Sequence, residues 1–140
     1  MLFRSYTQDL DSESIPAYER VRAQLQAADA VLIVSPEHNR SMPAAVKNLL
    51  DIASRPAGKS LWGGKKTAVI TASPGSYGGI NSGLHIRQSL QAMSADVMIA
   101  PEVFLSRAHT ALADGQVSDA RTAAFLNKFA AAFYGWAQAE

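Results

Sequence analysis

Ala30-Val31-Leu32-Ile33-Val34-Ser35-Pro36-Glu37-His38-Asn39 is the stretch that decides the fold class of this chain. An apolar run rich in β-branched residues passes directly into a polar loop. Short continuous runs of this kind read as strands buried on both faces, as in a parallel sheet covered by helices. The pattern recurs at Ala68-Val69-Ile70-Thr71-Ala72, which runs into Ser73-Pro74-Gly75-Ser76-Tyr77-Gly78-Gly79. A helical pattern opens after each loop. Ligands of parallel α/β sheets bind beyond the carboxyl ends of the strands, so the two loops are where chemistry is expected.

Working outward, residues 1–13 are polar and weakly patterned and read as an irregular lead-in. Ser14 caps a helix with Pro16 in its first turn, and Val21, Leu25 and Ala28 form its apolar face. Glu19, Arg20, Arg22 and Gln26 are expected to face water. After the first strand, Ser41 and Pro43 open a helix with apolar positions Val46, Leu49, Leu50 and Ala53, which ends before Arg55-Pro56. Lys59 to Gly64 is a connection broken by Gly63-Gly64. The second strand spans Thr67 to Ala72. A third helix over Gly79 to Met93 carries Ile80, Leu84, Arg87 and Leu90 on one stripe. Asp96 to Ala100 reads as a third strand, closed by Pro101. Ala113-Asp114-Gly115-Gln116 is a turn. Ser118 caps a last helix with the face Thr122, Leu126, Phe129, Phe133 and Trp136. The alternation predicts a single α/β domain over residues 1–140 with a parallel sheet.

Composition narrows the function. The chain has 140 residues, net charge +1 and 18% charged residues, which offers no electrostatic case for nucleic acid or a membrane surface. It has no cysteine, which removes disulfides, thiolate metal sites and a cysteine nucleophile and fits a reducing cytoplasm. No apolar run approaches the ~18 residues that span a bilayer. His85 and His109 lack ligand spacing, so no metal site is expected.

In the second loop, Gly75, Gly78 and Gly79 permit a sharp turn and close approach of a ligand to the main chain. The following helix presents N–H groups and a positive dipole end. Tyr77 can cover one face of a flat ring. The same loop also reads as a tight turn that needs glycine only for geometry. In the first loop, Pro36 stiffens the strand exit, while Glu37 and Asn39 offer polar groups. His38 reads as a solvent-facing loop residue before it reads as a proton donor. Lys47 pairs with Asp51 at i,i+4 rather than acting as a catalyst. No nucleophile elbow, Walker loop or dinucleotide fingerprint is present, so no catalytic side chain is assigned. The pattern suits a protein that holds a cofactor and lets the cofactor react.

These residues resemble a known family. Ser35-Pro36-Glu37-His38-Asn39 followed by Pro43, Lys47, Asn48 and Asp51 is similar to the Pro-Glu-Tyr-Asn loop and Pro-x-x-x-Lys-Asn-x-x-Asp helix of the NAD(P)H-dependent FMN reductases. Ser54-Arg55-Pro56 continues the likeness, and Ser73 to Gly79 resembles that family's second flavin loop. The resemblance runs from about Asp9 to the C-terminus. It implies a flavodoxin-like three-layer α/β/α fold, FMN as cofactor and NAD(P)H as electron donor. It implies a small-molecule acceptor (quinones, azo dyes, chromate or free flavin); a cytoplasmic location and a homodimer or homotetramer are expected besides. Carried over, Pro36, Glu37, His38 and Asn39 border the flavin ring, and Ser73, Pro74, Gly75, Tyr77, Gly78 and Gly79 meet its other edge. His38 replaces the usual tyrosine, which keeps a planar ring but adds a titratable group.

The family pattern starts with a strand, a phosphate-binding loop, a helix and a second strand. This sequence is expected to lack that first β-α-β unit, strands 1 and 2 of the flavodoxin order 2-1-3-4-5. Two expectations follow. The run Val31 to Val34 becomes an exposed apolar edge, and Phe129, Phe133 and Trp136 are partly uncovered. The chain is expected to bind FMN poorly. The alternative to the enzyme reading is a noncatalytic fragment or an oligomer-dependent small-ligand binder.

Overall fold

A computed structural model describes residues 5–113 and 115–139. Asp114, in the expected turn, lies outside them. The elements are α1 (Pro16–Ala27), β1 (Ala30–Pro36), α2 (Ala44–Ala53), β2 (Lys66–Ala72), α3 (Ile80–Ala92), β3 (Asp96–Val97), β4 (Val103–Leu105), α4 (Ala108–Ala111), β5 (Leu112–Ala113), β6 (Gln116–Val117) and α5 (Ala120–Gln138). The lead-in is more ordered than expected. It holds a 3-10 turn over Gln8–Leu10 with Leu10 buried, and Tyr6 N–H donates to Asn48 Oδ1 at 2.6 Å.

β2 organises the sheet. It pairs with β1 in parallel along its whole length, from Ala30 opposite Lys66 to Pro36 opposite Ala72. On its other side it pairs in parallel with β3 at one end and β4 at the other. The expected strand Asp96 to Ala100 is thus shorter, and Val103 to Leu105 continues its line. Pro101 explains the break, since proline gives no N–H to a ladder. A two-stranded antiparallel hairpin of β5 and β6 stands apart from this sheet.

Helices cover both faces of β2. On one side Ile33, Leu50, Ala53, Trp62, Val69, Ile86 and Leu90 form the main core. Trp62 is fully buried and its indole N–H donates to Leu50 O at 3.0 Å, although its segment read only as a connection. On the other side Phe129 of α5 packs with Ala68, Met98 and Val103, and Phe133 and Trp136 are half-buried. The expectation of a partly uncovered aromatic face thus holds at Phe133 and Trp136 but not at Phe129, which Ala68, Met98 and Val103 cover.

β1 departs from the reading of a strand buried on both faces. Ile33 and Ser35 are buried, but Leu32 is 40% and Val34 64% exposed. No described strand lies outside β1, and α5 packs over β2, Met98 and β4 instead. The result is the exposed apolar edge that was expected of this run. In α3 the buried positions are Ser82, Gly83, Ile86 and Leu90. The expected stripe is therefore rotated, leaving Leu84 exposed. Arg22, expected to face water, is half-buried; its guanidinium donates to Ile52 O and Lys59 O, both at 3.1 Å, and ties α1 to the end of α2 and the segment after it.

The caps also shift. Ile15 and Pro43 stand at the N-caps of α1 and α2, where Ser14 and Ser41 were expected. Ser14 donates to the Glu19 carboxylate instead. Asp119, not Ser118, caps α5 and accepts from Thr122 N–H at 2.8 Å. The Lys47–Asp51 pair forms at 2.5 Å.

Candidate functional site

The loops after β1 and β2 end up side by side at the carboxyl end of the sheet because their strands pair in register to the last residue, Pro36 opposite Ala72. The β1 loop is held by side chains. One Glu37 carboxylate oxygen accepts from Asn81 N–H at 2.9 Å and Ser82 N–H at 3.2 Å. The first turn of α3 is thus filled by the protein's own anion, where the sequence suggested open donors for a ligand. Ser82 Oγ donates to Pro36 O at 2.9 Å and lies 3.5 Å from Ser35 Oγ. His38 and Ser41 exchange two backbone hydrogen bonds of 2.9 Å. Ser41 Oγ lies 3.0 Å from His85 Nδ1, so the turn is pinned to α3 a second time.

The β2 loop is held by its backbone. Ser73 N–H donates to Leu105 O, and Arg107 and Ala108 N–H donate to Gly75 O and Ser73 O, each at 3.0 Å. A Cβ on Gly78 would lie 2.4 Å from the carbonyl carbon and oxygen of Phe104, and Gly78 also has a φ of +62°. A Cβ on Gly79 would meet Thr71 Cβ at 3.1 Å. The buried Thr71 hydroxyl donates to Gly78 O at 2.9 Å. Packing within the protein therefore requires glycine at 78, and at 79 a φ of +78° together with the tight Thr71 contact favours it. Gly75 differs, since its added Cβ would meet only Ser73 Oγ, at 3.5 Å, and its surface is open.

What faces outward is a short list. Pro36, His38, Asn39, Pro74, Gly75 and Tyr77 are exposed, and Ser73 and Glu37 are half-buried. Arg40 Cζ sits 5.4 Å from the Tyr77 ring centroid and bridges the two loops. The N–H groups of Asn39, Ser76 and Tyr77 have no backbone acceptor among the described residues. Open N–H donors beside a flat aromatic face suit the carbonyl and nitrogen edge of a flavin ring. The described residues fit that ring. They do not offer α3 as a phosphate cradle, because Glu37 occupies its first turn.

Arg40, Ser82 and His85 were not singled out by sequence reasoning as parts of this region. Ser82 and His85 lie three residues apart on α3, a spacing that puts both on the side facing the β1 loop. Arg40 had no comparable signal. Its turn is of the type that glycine usually marks, and no glycine is present. Arg87, expected on an apolar stripe, instead donates to Met98 O at 2.8 Å and lies 3.6 Å from Glu102.

Comparison with known proteins identifies the family and the fold. The sequence profile of the NADPH-dependent FMN reductases matches residues 3–110. A quinone reductase of Pseudomonas putida is 40% identical over 94% of this chain and 71% of its own length. A 2-hydroxy-1,4-benzoquinone reductase of a Burkholderia species is 36% identical over 94% of this chain and 72% of its own. FerB, a flavoenzyme NAD(P)H:(acceptor) oxidoreductase from Paracoccus denitrificans, superposes with a TM-score of 0.88 at 36% identity, covering 97% of this chain and 75% of that one. With the parallel sheet, the paired strand-end loops and these matches together, the chain belongs to the NADPH-dependent FMN reductase family, flavodoxin-like oxidoreductases that work with FMN and NAD(P)H.

Proposed function

We propose that the two strand-end loops hold the flavin ring and that the electron acceptor is a small quinone. Pro36, Glu37, His38 and Asn39 border one edge of the ring. Ser73, Pro74, Gly75, Tyr77, Gly78 and Gly79 shape the other. Within this set the exposed members make contact, while Glu37, Gly78 and Gly79 fix the shape of the loops from beneath. The juxtaposition of the two loops, with unpaired Asn39, Ser76 and Tyr77 N–H groups beside the Tyr77 face, carries the reading. FMN bound there supplies the two-electron transfer from NAD(P)H to the acceptor. The protein orients the flat ring and donates hydrogen bonds to it. The quinone acceptor is supported by the relatives that reduce quinones.

The exposed edge of β1, with Leu32 and Val34, supports assembly as a homodimer or homotetramer. The absence of cysteine supports a cytoplasmic location. No helix among the described residues is long and apolar enough to cross a membrane. The test is an NADPH oxidation assay with 1,4-benzoquinone, with and without added FMN. The expected result is oxidation that requires both FMN and quinone. Oxidation unaffected by FMN, in protein carrying no flavin, contradicts the reading.

A further inference from the structure

The turn His38-Asn39-Arg40-Ser41 carries a side chain where the backbone favours none. Asn39 and Arg40 have φ of +48° and +66°, the mirror-image hairpin turn whose second central position strongly prefers glycine. Asparagine tolerates this conformation, but arginine is strained in it. Strain that persists at a site points to a use for the side chain. The Arg40 guanidinium lies over the Tyr77 ring, 5.4 Å from its centroid, and both residues are exposed. Among the described residues no carboxylate pairs with Arg40. The acidic neighbour Glu37 is engaged with Asn81 and Ser82 N–H. A cation is therefore fixed on an aromatic platform at the mouth between the two loops, without an internal counter-charge.

We propose that Arg40 determines acceptor specificity, favouring flat acceptors with a negative charge, in particular quinones with an ionised hydroxyl beside a ring carbonyl. Such an anion places two oxygens on adjacent ring carbons. The planar guanidinium offers two parallel N–H donors that match this pair, as it does a carboxylate. Stacking on Tyr77 holds the guanidinium plane and lowers the entropy lost on binding. A neutral quinone receives only weaker hydrogen bonds from the same fork. The assignment rests on the reading that a flat acceptor enters between these loops.

The test compares 2-hydroxy-1,4-naphthoquinone, ionised at neutral pH, with neutral 1,4-naphthoquinone. Binding to the whole chain without flavin is followed by NMR at the Arg40 side-chain N–H and the Tyr77 ring. The expected result is about tenfold tighter binding of the anion, with both signals shifted. In R40G the preference falls to within about twofold, and R40K, with charge but no fork, lies between. The melting temperature of R40G stays level or rises, because the turn prefers glycine. Equal binding of the two quinones by the wild type, binding of neither, or a preference retained in R40G overturns the proposal. So does a lower melting temperature in R40G, which would make Arg40 a structural clamp. An FMN titration run in parallel separates the two failures: anion preference without flavin binding sinks the flavin reading and with it the acceptor role of Arg40, whereas flavin binding without anion preference overturns the Arg40 assignment alone.

Discussion

The loops after β1 and β2 hold equivalent places in the sheet and are fixed by opposite means. The β1 loop is bound from outside by side chains: Glu37 on the first turn of α3, Ser82 on Pro36 O, and His85 on Ser41. The β2 loop is bound from inside by its main chain, with Gly78 pressed so closely against Phe104 and Leu105 of β4 that it has no room for a side chain, and Gly79, at a φ of +78°, tight against Thr71. Glycine-rich loops at strand ends invite a ligand explanation. Here two of the three glycines have a packing explanation, and the polar β1 loop has used its carboxylate for structure. What remains for a ligand is the outer surface: Asn39, Gly75, Ser76, Tyr77 and the strained Arg40.

The largest expected effect breaks the β2 loop. Gly78→Ala introduces a Cβ against the Phe104 backbone at a φ of +62°, and is expected to cost about 3 kcal/mol in urea unfolding. A neutral result would show that the loop can move away from β4. The β1 loop is expected to fail more gently. Glu37→Ala removes the carboxylate from the α3 N-terminus and should cost about 1 kcal/mol. Glu37→Gln, which keeps an acceptor without the charge, should cost less. If Gln and Ala are equally harmful, charge rather than hydrogen bonding holds the loop.

The smallest effect tests whether both loops are insulated from the far helix. The Asp119 carboxyl is held below the usual carboxylate range by its hydrogen bonds from Thr122, side chain first and backbone next. A depressed folded-state pKa gives stability that is present above the unfolded carboxylate pKa and lost as pH falls through the folded one. Acid should therefore loosen the start of α5, and Asp119→Asn should remove that acid sensitivity. Amide exchange at Asn81 and Ser82 should not respond to this substitution, because Glu37, not Asp119, satisfies those groups.

Much of this arrangement was legible in the sequence for identifiable reasons. β1, β2, α2 and α3 announce themselves through continuous apolar runs, Pro43 at a helix start and glycine before Ile80. β4 was hidden because three residues after Pro101 carry too little pattern, and Trp62 because a buried tryptophan in a connection has no periodic neighbours. The exposure of Leu32 and Val34 follows from the edge position of β1, whereas the strand's own composition reads as buried. Glu37 was placed in the site, but its role as the cap of α3 depends on β1 and β2 ending in register. Arg40 could not be found at all, because its turn lacks the glycine that would have marked it.

The central claim is that these residues hold a flavin ring and that the first turn of α3, filled by Glu37, provides no phosphate site. Parallel fluorescence titrations of the whole chain with FMN and with riboflavin, which lacks the phosphate, test it directly. Both flavins are predicted to bind, with affinities within about threefold of each other. FMN binding roughly a hundredfold tighter than riboflavin would reveal a phosphate cradle of about 2.7 kcal/mol, and failure of either flavin to bind would remove the ring site; each result contradicts the account.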